Sequence, residues 1–203
     1  MRKIILSLAV IGVFLMLPFD LFSQEKAEAP TYKDGDSWQF RLNQGTFLTQ
    51  TTRAQGGDYE VTYSGGKLQV RSQGEDVKGA AEVRRMVGVD DQGQYLQFPL
   101  FVGKKWNTPY QDIDRGRAIN RQAETSVTGT EEITTLAGTF RVFKIERLDT
   151  GFAGRPEKGS TDSRGSRWTY VYYYSPQTRS IVKYSLERES GGKREIELIK
   201  FQP

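Results

Sequence analysis

The sequence predicts an all-β protein, a curled antiparallel sheet forming a barrel or half-barrel of roughly ten to twelve strands with little helix. Three observations predict it. Apolar and polar residues alternate at period two through most of the chain beyond Tyr32, the pattern of a sheet buried on one face. Glycine-containing turns, drawn from 21 glycines, separate the alternating segments. Helical periodicity is scarce throughout.

The chain opens on an export signal. Arg2 and Lys3 form a positive start, and Ile4 to Leu17 is apolar apart from Ser7 and Gly12. Pro18 ends the run, and Ser23 is a small residue suited to cleavage before Gln24. The run is shorter than the roughly 18 to 20 residues that a spanning helix needs, and no second apolar stretch follows. Residues 1–23 are therefore expected as a signal peptide, and 24–33 as a flexible leader of charged and small residues. Residues 34–203 form the expected single domain, long enough to bury about 70% of its unfolded surface.

Within that domain, Trp38, Phe40 and Leu42 alternate with Ser37, Gln39 and Arg41. Tyr59, Val61 and Tyr63 repeat the pattern, and Ser64-Gly65-Gly66-Lys67 suits a tight hairpin into Leu68 and Val70. Val83 to Val89 reads as a strand that turns at Asp90-Asp91-Gln92-Gly93 into Tyr95 to Leu100. Tyr110 to Asn120 could form one short helix, although Gly116 interrupts it. Further strands are expected at 124–135, 139–148, 166–175, 180–189 and 193–201, with Gly191-Gly192 marking the last hairpin. Between them, residues 150–167 are rich in glycine, serine and charge, and read as a long mobile loop. Two segments break the alternation. Phe140 and Val142 give way to Phe143 and Ile145, and Ile196 and Leu198 to Ile199 and Phe201. A one-residue slip of this kind marks a β-bulge, which helps a sheet curl.

Composition excludes much chemistry. The chain has no cysteine and no histidine. Common zinc and copper sites, Ser-His-Asp catalysis and Cys-His catalysis all lose their key residues. No GxGxxG or Walker-type stretch is present. Asp112-x-Asp114 begins like a calcium loop, but Arg115 and Arg117 follow and no glutamate occupies the twelfth position. Adjacent carboxylates such as Glu131 with Glu132 point to opposite faces of a strand and do not converge. No enzyme, metal site or cofactor is expected. Absent cysteine also means no disulfide and no lipobox, which favours a bacterial periplasm, with an extracellular location as the alternative. The net charge of +4 becomes +3 when Arg2, Lys3 and Asp20 leave with the signal, a modest excess that does not call for nucleic acid.

The most distinctive strand carries Trp168, Tyr170, Tyr172 and Tyr174 on one face. Those rings amount to roughly 600 to 1000 Å² of surface, a gross upper bound of about 15 to 25 kcal/mol if all left water. A soluble protein rarely exposes such a stripe, so it is expected to face inward. An outward platform for sugar rings or a partner is the alternative. Arg141, Lys144 and Arg147, with Arg155, Lys158, Arg164 and Arg167, concentrate positive charge, diluted by Glu146, Asp149, Glu157 and Asp162. They read as a solvated loop and strand face, or as a surface for anionic lipid or polysaccharide.

Pro99, Leu100, Gly103 and Trp106, then Gly129-Thr130-Glu131, Ala137-Gly138-Thr139-Phe140, Lys144-Ile145, Tyr173-Tyr174-Ser175-Pro176 and Ile181-Val182-Lys183 follow one another in an order that resembles TapB-like bacterial envelope proteins. The likeness covers residues 99–190 and implies a signal-bearing antiparallel β domain. Arg179-Ser180 stands where that pattern leads one to expect a glycine, and Tyr173 where tryptophan is usual. Gly138 suits a turn of positive φ, Pro176 an edge or turn, and Trp106 and Phe140 the core. A wider resemblance is to the half-barrels of periplasmic lipoprotein carriers, which implies a concave surface for acyl chains. These readings converge on a non-enzymatic exported protein that binds a lipid or other amphipathic molecule in a β concavity and is not integral to the membrane after cleavage. A structural or assembly protein of the envelope and a glycan-binding module are the alternatives.

Overall fold

A computed structural model describes residues 24–42, 46–55, 58–63, 66–70, 76–78, 96–114, 117–153, 166–189 and 191–203. The expected signal peptide, the strand at 83–89 with its turn, and most of the 150–167 loop lie outside the described residues. Among the described residues thirteen strands occur: β1 Lys26–Ala27, β2 Ser37–Leu42, β3 Thr46–Gln55, β4 Asp58–Tyr63, β5 Gly66–Val70, β6 Asp76–Lys78, β7 Leu100–Phe101, β8 Lys105–Asp114, β9 Arg117–Thr135, β10 Gly138–Ala153, β11 Ser166–Ser175, β12 Ser180–Arg188 and β13 Lys193–Gln202. Among the described residues there is no helix.

Eleven strands form one open antiparallel sheet in the order β6-β5-β4-β3-β2-β13-β12-β11-β10-β9-β8. Two meanders, β2–β6 and β8–β13, meet where β2 pairs with β13. Short turns explain the meanders. At β12–β13, Gly191 and Gly192 take φ of 85° and 96°, and the Gly191 N–H donates to the Arg188 carbonyl at 2.9 Å. The region 110–120, expected as a short helix, is instead the β8–β9 hairpin, with Gln111 opposite Asn120 and Asp112 opposite Ile119. Cross-strand pairing of two long strands prevails over a weak helical stripe interrupted by Gly116.

The sheet curls along a line of bulges. Lys144 pairs with Gly129 and Ile145 with Val127, which leaves Thr128 as the extra residue. Tyr173 pairs with Lys183 and Tyr174 with Ile181, so Val182 is extra. Leu198 pairs with Phe40 and Lys200 with Gln39, so Ile199 is extra. Lys144, Tyr173, Lys183 and Glu197 are successive partners across β10 to β13, so the three bulges follow one row. The one at Ile199 sits where the alternation slips in the sequence, whereas the slip at Val142-Phe143 carries no register shift, the β9–β10 pairing running unbroken from Gly138 to Lys144. Bulges increase local twist, and a row of them folds the sheet. β9 and β13, four places apart in the order, consequently approach each other.

One face of this sheet is the core. Phe143, Ile145, Tyr170, Tyr172, Tyr174, Tyr184, Ile196 and Leu198 are buried, while their sequence neighbours Lys144, Glu146, Val171 and Tyr173 are half-buried. The segment 24–33, expected as a flexible leader, is docked against this core. Ala27 and Tyr32 are buried, β1 pairs with β7, and Gln24 Nε2 donates to the Val102 carbonyl at 2.6 Å. Ala27, Pro30 and Tyr32 are apolar points in an otherwise polar stretch, and their burial holds it. The β1–β7 ribbon and residues 96–99 thus cover the inner face, with Phe98 packed on Tyr174 at 5.3 Å between ring centroids.

Candidate binding site on the inner face

Alternation along β11 places Trp168, Tyr170, Tyr172 and Tyr174 on the inner face. Tyr170 stacks on Tyr172 at 5.8 Å, and Tyr172 on Tyr184 at 5.8 Å, across the β11–β12 register. The three tyrosines are 0 to 3% exposed, sealed by the protein's own side chains, whereas Trp168 is half-buried. Burial pushes the Tyr174 hydroxyl well above the ordinary phenol range. The aromatic strand therefore divides into a closed tyrosine floor and an accessible tryptophan at one end.

The next inner-face positions on β10 are not apolar. Arg147 and Asp149 are each 1% exposed, with Arg147 Nε on Asp149 Oδ1 at 2.5 Å and an Arg147 terminal nitrogen on Oδ2 at 3.3 Å. Tyr110 of β8 donates its hydroxyl to the same Oδ2 at 2.5 Å. The guanidinium also lies 5.4 Å from the Tyr110 ring centroid and 5.9 Å from that of Tyr170. Burial, followed by the Asp149 charge, raises the Tyr110 pKa. Burial opposes the Arg147 charge, but Tyr172 and Asp149 offset it, so its pKa stands above the ordinary guanidinium value. This corrects the reading of Arg147 and Asp149 as part of a solvated face. The signal was present: the Phe143, Ile145 alternation runs on through 147 and 149. Of the other expected basic residues, Arg141 is exposed and pairs with Glu25 at 3.1 Å, and Lys144 pairs with Glu146 at 3.0 Å. Arg155, Lys158 and Arg164 lie outside the described residues.

Beyond the ion pair, Ala123 and Arg121 stay buried, Trp168 is half-buried and Arg188 is exposed. Trp168 is the register partner of Asp149 on one side and Arg188 on the other. The guanidinium of Arg121 sits 3.9 Å from the Trp168 ring, and that of exposed Arg188 at 5.4 Å. One row further in, Trp106, Thr125, Arg147 and Tyr170 are successive cross-strand partners. Trp106 Nε1 and Thr125 Oγ1 are buried there without a hydrogen-bond partner. Sequence reasoning missed Arg121, Thr125 and Arg188, because their inward direction depends on the β9 and β12 registers.

The remaining motif residues are architectural. Pro99 precedes β7, Gly103 takes φ 90° and donates its N–H to the Val127 carbonyl at 2.9 Å, and Gly138 takes φ 135° in the β9–β10 turn. Trp106 and Phe140 are buried, and Pro176 is exposed in the β11–β12 turn. Arg179 in that turn has φ 57°, which explains the expected glycine. Its guanidinium makes a 2.5 Å charge contact with fully buried Asp36, without the alignment of a hydrogen bond. Four Ser-x-x-Lys spacings occur, Ser23 with Lys26, Ser64 with Lys67, Ser180 with Lys183 and Ser190 with Lys193. Ser23, Ser64 and Ser190 lie outside the described residues, while Ser180 is fully buried with its hydroxyl 3.1 Å from that of Thr178, and Lys183 is half-buried. Among the described residues no cluster of metal-ligating side chains forms, and no helix is long and apolar enough to cross a membrane.

No protein-family model matches the chain, and no curated protein is similar to it. The resemblance to TapB-like proteins gains no support from them. Similar solved structures were found. A candidate lipoprotein from Parabacteroides distasonis superposes with a TM-score of 0.51 at 12% identity, over 88% of this chain and 100% of that one. The hypothetical lipoprotein YmcC of Escherichia coli gives 0.43 at 12% identity, over 83% and 85%. A candidate exported protein of YmcC-like fold from Bacteroides fragilis gives 0.44 at 15% identity, over 87% and 100%. The first likeness is one of fold alone, and the two lower scores carry no argument.

Proposed function

We propose that the protein is an exported envelope component without catalytic machinery that binds an amphipathic molecule at the arginine-lined end of its curled sheet. The observation that carries this reading is the split along β11. The tyrosines are sealed by the chain itself, while Trp168 remains accessible between arginine side chains and next to an apolar core. A ligand with an apolar part and a polar head suits such a boundary. The signal-like residues 1–23 support export, and the Parabacteroides neighbour is itself described as a candidate lipoprotein. Native mass spectrometry of protein taken gently from its own cell envelope tests the reading. A bound amphiphile mass is expected, and a clean unliganded mass would overturn it.

One observation favours a second reading. The β1–β7 ribbon and residues 96–99 fill the place where the carrier likeness implies an acyl chain. A core closed in this way also suits a structural or assembly protein acting through its outer surface. An unliganded mass with a co-purifying protein would favour it. A sugar-stacking platform on Tyr170, Tyr172 and Tyr174 has no exposed ring to use.

A further inference from the structure

We infer that Gln24 is a modification site: once the signal is cleaved before it, it closes to a pyroglutamyl ring, which guards the docked leader against trimming. The inference rests on the expected cleavage site and is independent of the amphiphile reading.

The chemistry needs only Gln24. Cleavage of the Ser23–Gln24 bond frees an α-amine on a residue whose own side-chain amide carbon is close enough to close a small ring. An α-amine titrates lower than a lysine ammonium, so near neutral pH part of it is unprotonated and nucleophilic. Its nitrogen forms a bond to Cδ, and the bond from Cδ to Nε2 breaks. Nε2 leaves as ammonia, carrying the proton that the amine gives up. Nothing is oxidised or reduced, and no second reactant enters.

The fold accommodates the ring. Gln24 is exposed, and so is the hydrogen bond that its Nε2 donates to the Val102 carbonyl at 2.6 Å. Ring closure forfeits that bond, but Val102 is 37% exposed and its carbonyl turns to water instead. The leader keeps its seat through the residues that follow. Glu25 pairs with Arg141 at 3.1 Å, Lys26 and Ala27 form β1, and Ala27, Pro30 and Tyr32 are buried.

The same arrangement gives the ring a use. The first buried anchor, Ala27, comes directly after exposed Gln24, Glu25 and Lys26. β1 spans only Lys26 and Ala27, and a ladder so short opens readily. An aminopeptidase starting from a free Gln24 amine therefore reaches Ala27 in few steps. It then strips β1 from β7 and uncovers Leu100, the buried partner of Ala27. The ring offers no free, charged amine for such an enzyme to grip.

Intact mass spectrometry of the protein from its own cell envelope is the first test. A chain that begins at Gln24 and is lighter by one ammonia is expected. The full mass from Gln24 would overturn the ring while upholding the cleavage site, and a mass that begins at another residue would overturn both. The second test exposes the cyclised protein and Gln24→Ala, which keeps a free amine, to a broad-specificity aminopeptidase. The cyclised protein should stay whole, whereas Gln24→Ala should lose its residues through Ala27 and melt at a lower temperature by circular dichroism. Removing the ring with a pyroglutamyl peptidase should make the native protein as vulnerable as the variant. Equal resistance of Gln24→Ala would show that docking alone protects the leader, and would overturn the guarding role.

Discussion

Arg147 and Asp149, two residues apart on β10, form a side-on ion pair with both side chains withdrawn from solvent. Same-face neighbours on a strand lie roughly 7 Å apart at the backbone, close enough for the longer arginine to fold back onto the shorter carboxylate. The pair is then completed from β8 by Tyr110, so β8 and β10 are tied across β9 at one buried point.

Removing one member should cost more than removing both. Asp149→Asn leaves the Arg147 charge buried without its counter-ion, at about 3 to 5 kcal/mol. That corresponds to a fall of roughly 10 °C in Tm for a domain of this size. Arg147→Met combined with Asp149→Leu should recover most of the loss. Tyr110→Phe should cost about 1 to 3 kcal/mol by removing the shorter of the two hydrogen bonds to Asp149 Oδ2. Urea unfolding of the four proteins checks the order.

Arg179 sets two physical demands against each other. Its φ of 57° favours glycine, and relief of that conformation is worth about 1 kcal/mol. Its charge, however, is what stands beside buried Asp36, whose other oxygen accepts the Lys33 N–H at 2.6 Å. Arg179→Gly should therefore destabilise the fold by about 2 to 4 kcal/mol net. A stabilised Arg179→Gly in denaturant melts would show that the charge contact contributes little.

Alkali should expose the buried phenols. Tyr32, Tyr110 and Tyr174 have pKa values raised above the ordinary one, mainly by burial. Above about pH 10 the unfolded chain releases protons that these three retain when folded, so unfolding becomes easier as pH rises. Below that pH their contribution is constant. Ultraviolet titration should show part of the ten tyrosines ionising normally and the rest only as the protein unfolds. Ionisation of all ten in one step near pH 10, with the fold intact, would contradict the burial.

The ribbon can be locked without disturbing native thiols, since the chain has none. Lys26 and Phe101 are register partners in β1–β7, at a separation suited to a disulfide. In the Lys26→Cys, Phe101→Cys variant, oxidation should stabilise the fold by up to about 4 kcal/mol through loop closure. It should leave amphiphile binding at the Trp168 end unchanged. Loss of binding on oxidation, regained on reduction, would mean that the apolar tail enters beneath the ribbon.

Much of the fold was legible in the sequence because each strand reports its own burial. Ser166–Ser175 and the Gly191-Gly192 turn could be read locally, and the slip at Leu198-Ile199 announced a bulge, while the slip at Val142-Phe143 did not, since the extra residue near it is Thr128 on β9. The bulge at Val182 was hidden, because Ile181 and Val182 read equally well as one apolar pair. What sequence could not supply was register. Arg121 and Arg188 become neighbours of Trp168 only through partners on β10 and β12, and the leader finds its place only against β7. Charge also misled: Arg147 and Asp149 look solvent-loving singly, and are at home in the core only as a pair.

The junction between the two meanders fixes an order of events. β2 gains its second neighbour only from β13, with Ser37 opposite Gln202 and Trp38 opposite Phe201. A chain that emerges N-terminus first, from a ribosome or through a membrane, carries β2 with one edge unsatisfied until β13 arrives. Joining strands so distant in sequence is slow compared with closing the hairpins between them. The sheet therefore has a timer at its seam, and the molecule stays threadable until β13 seals it.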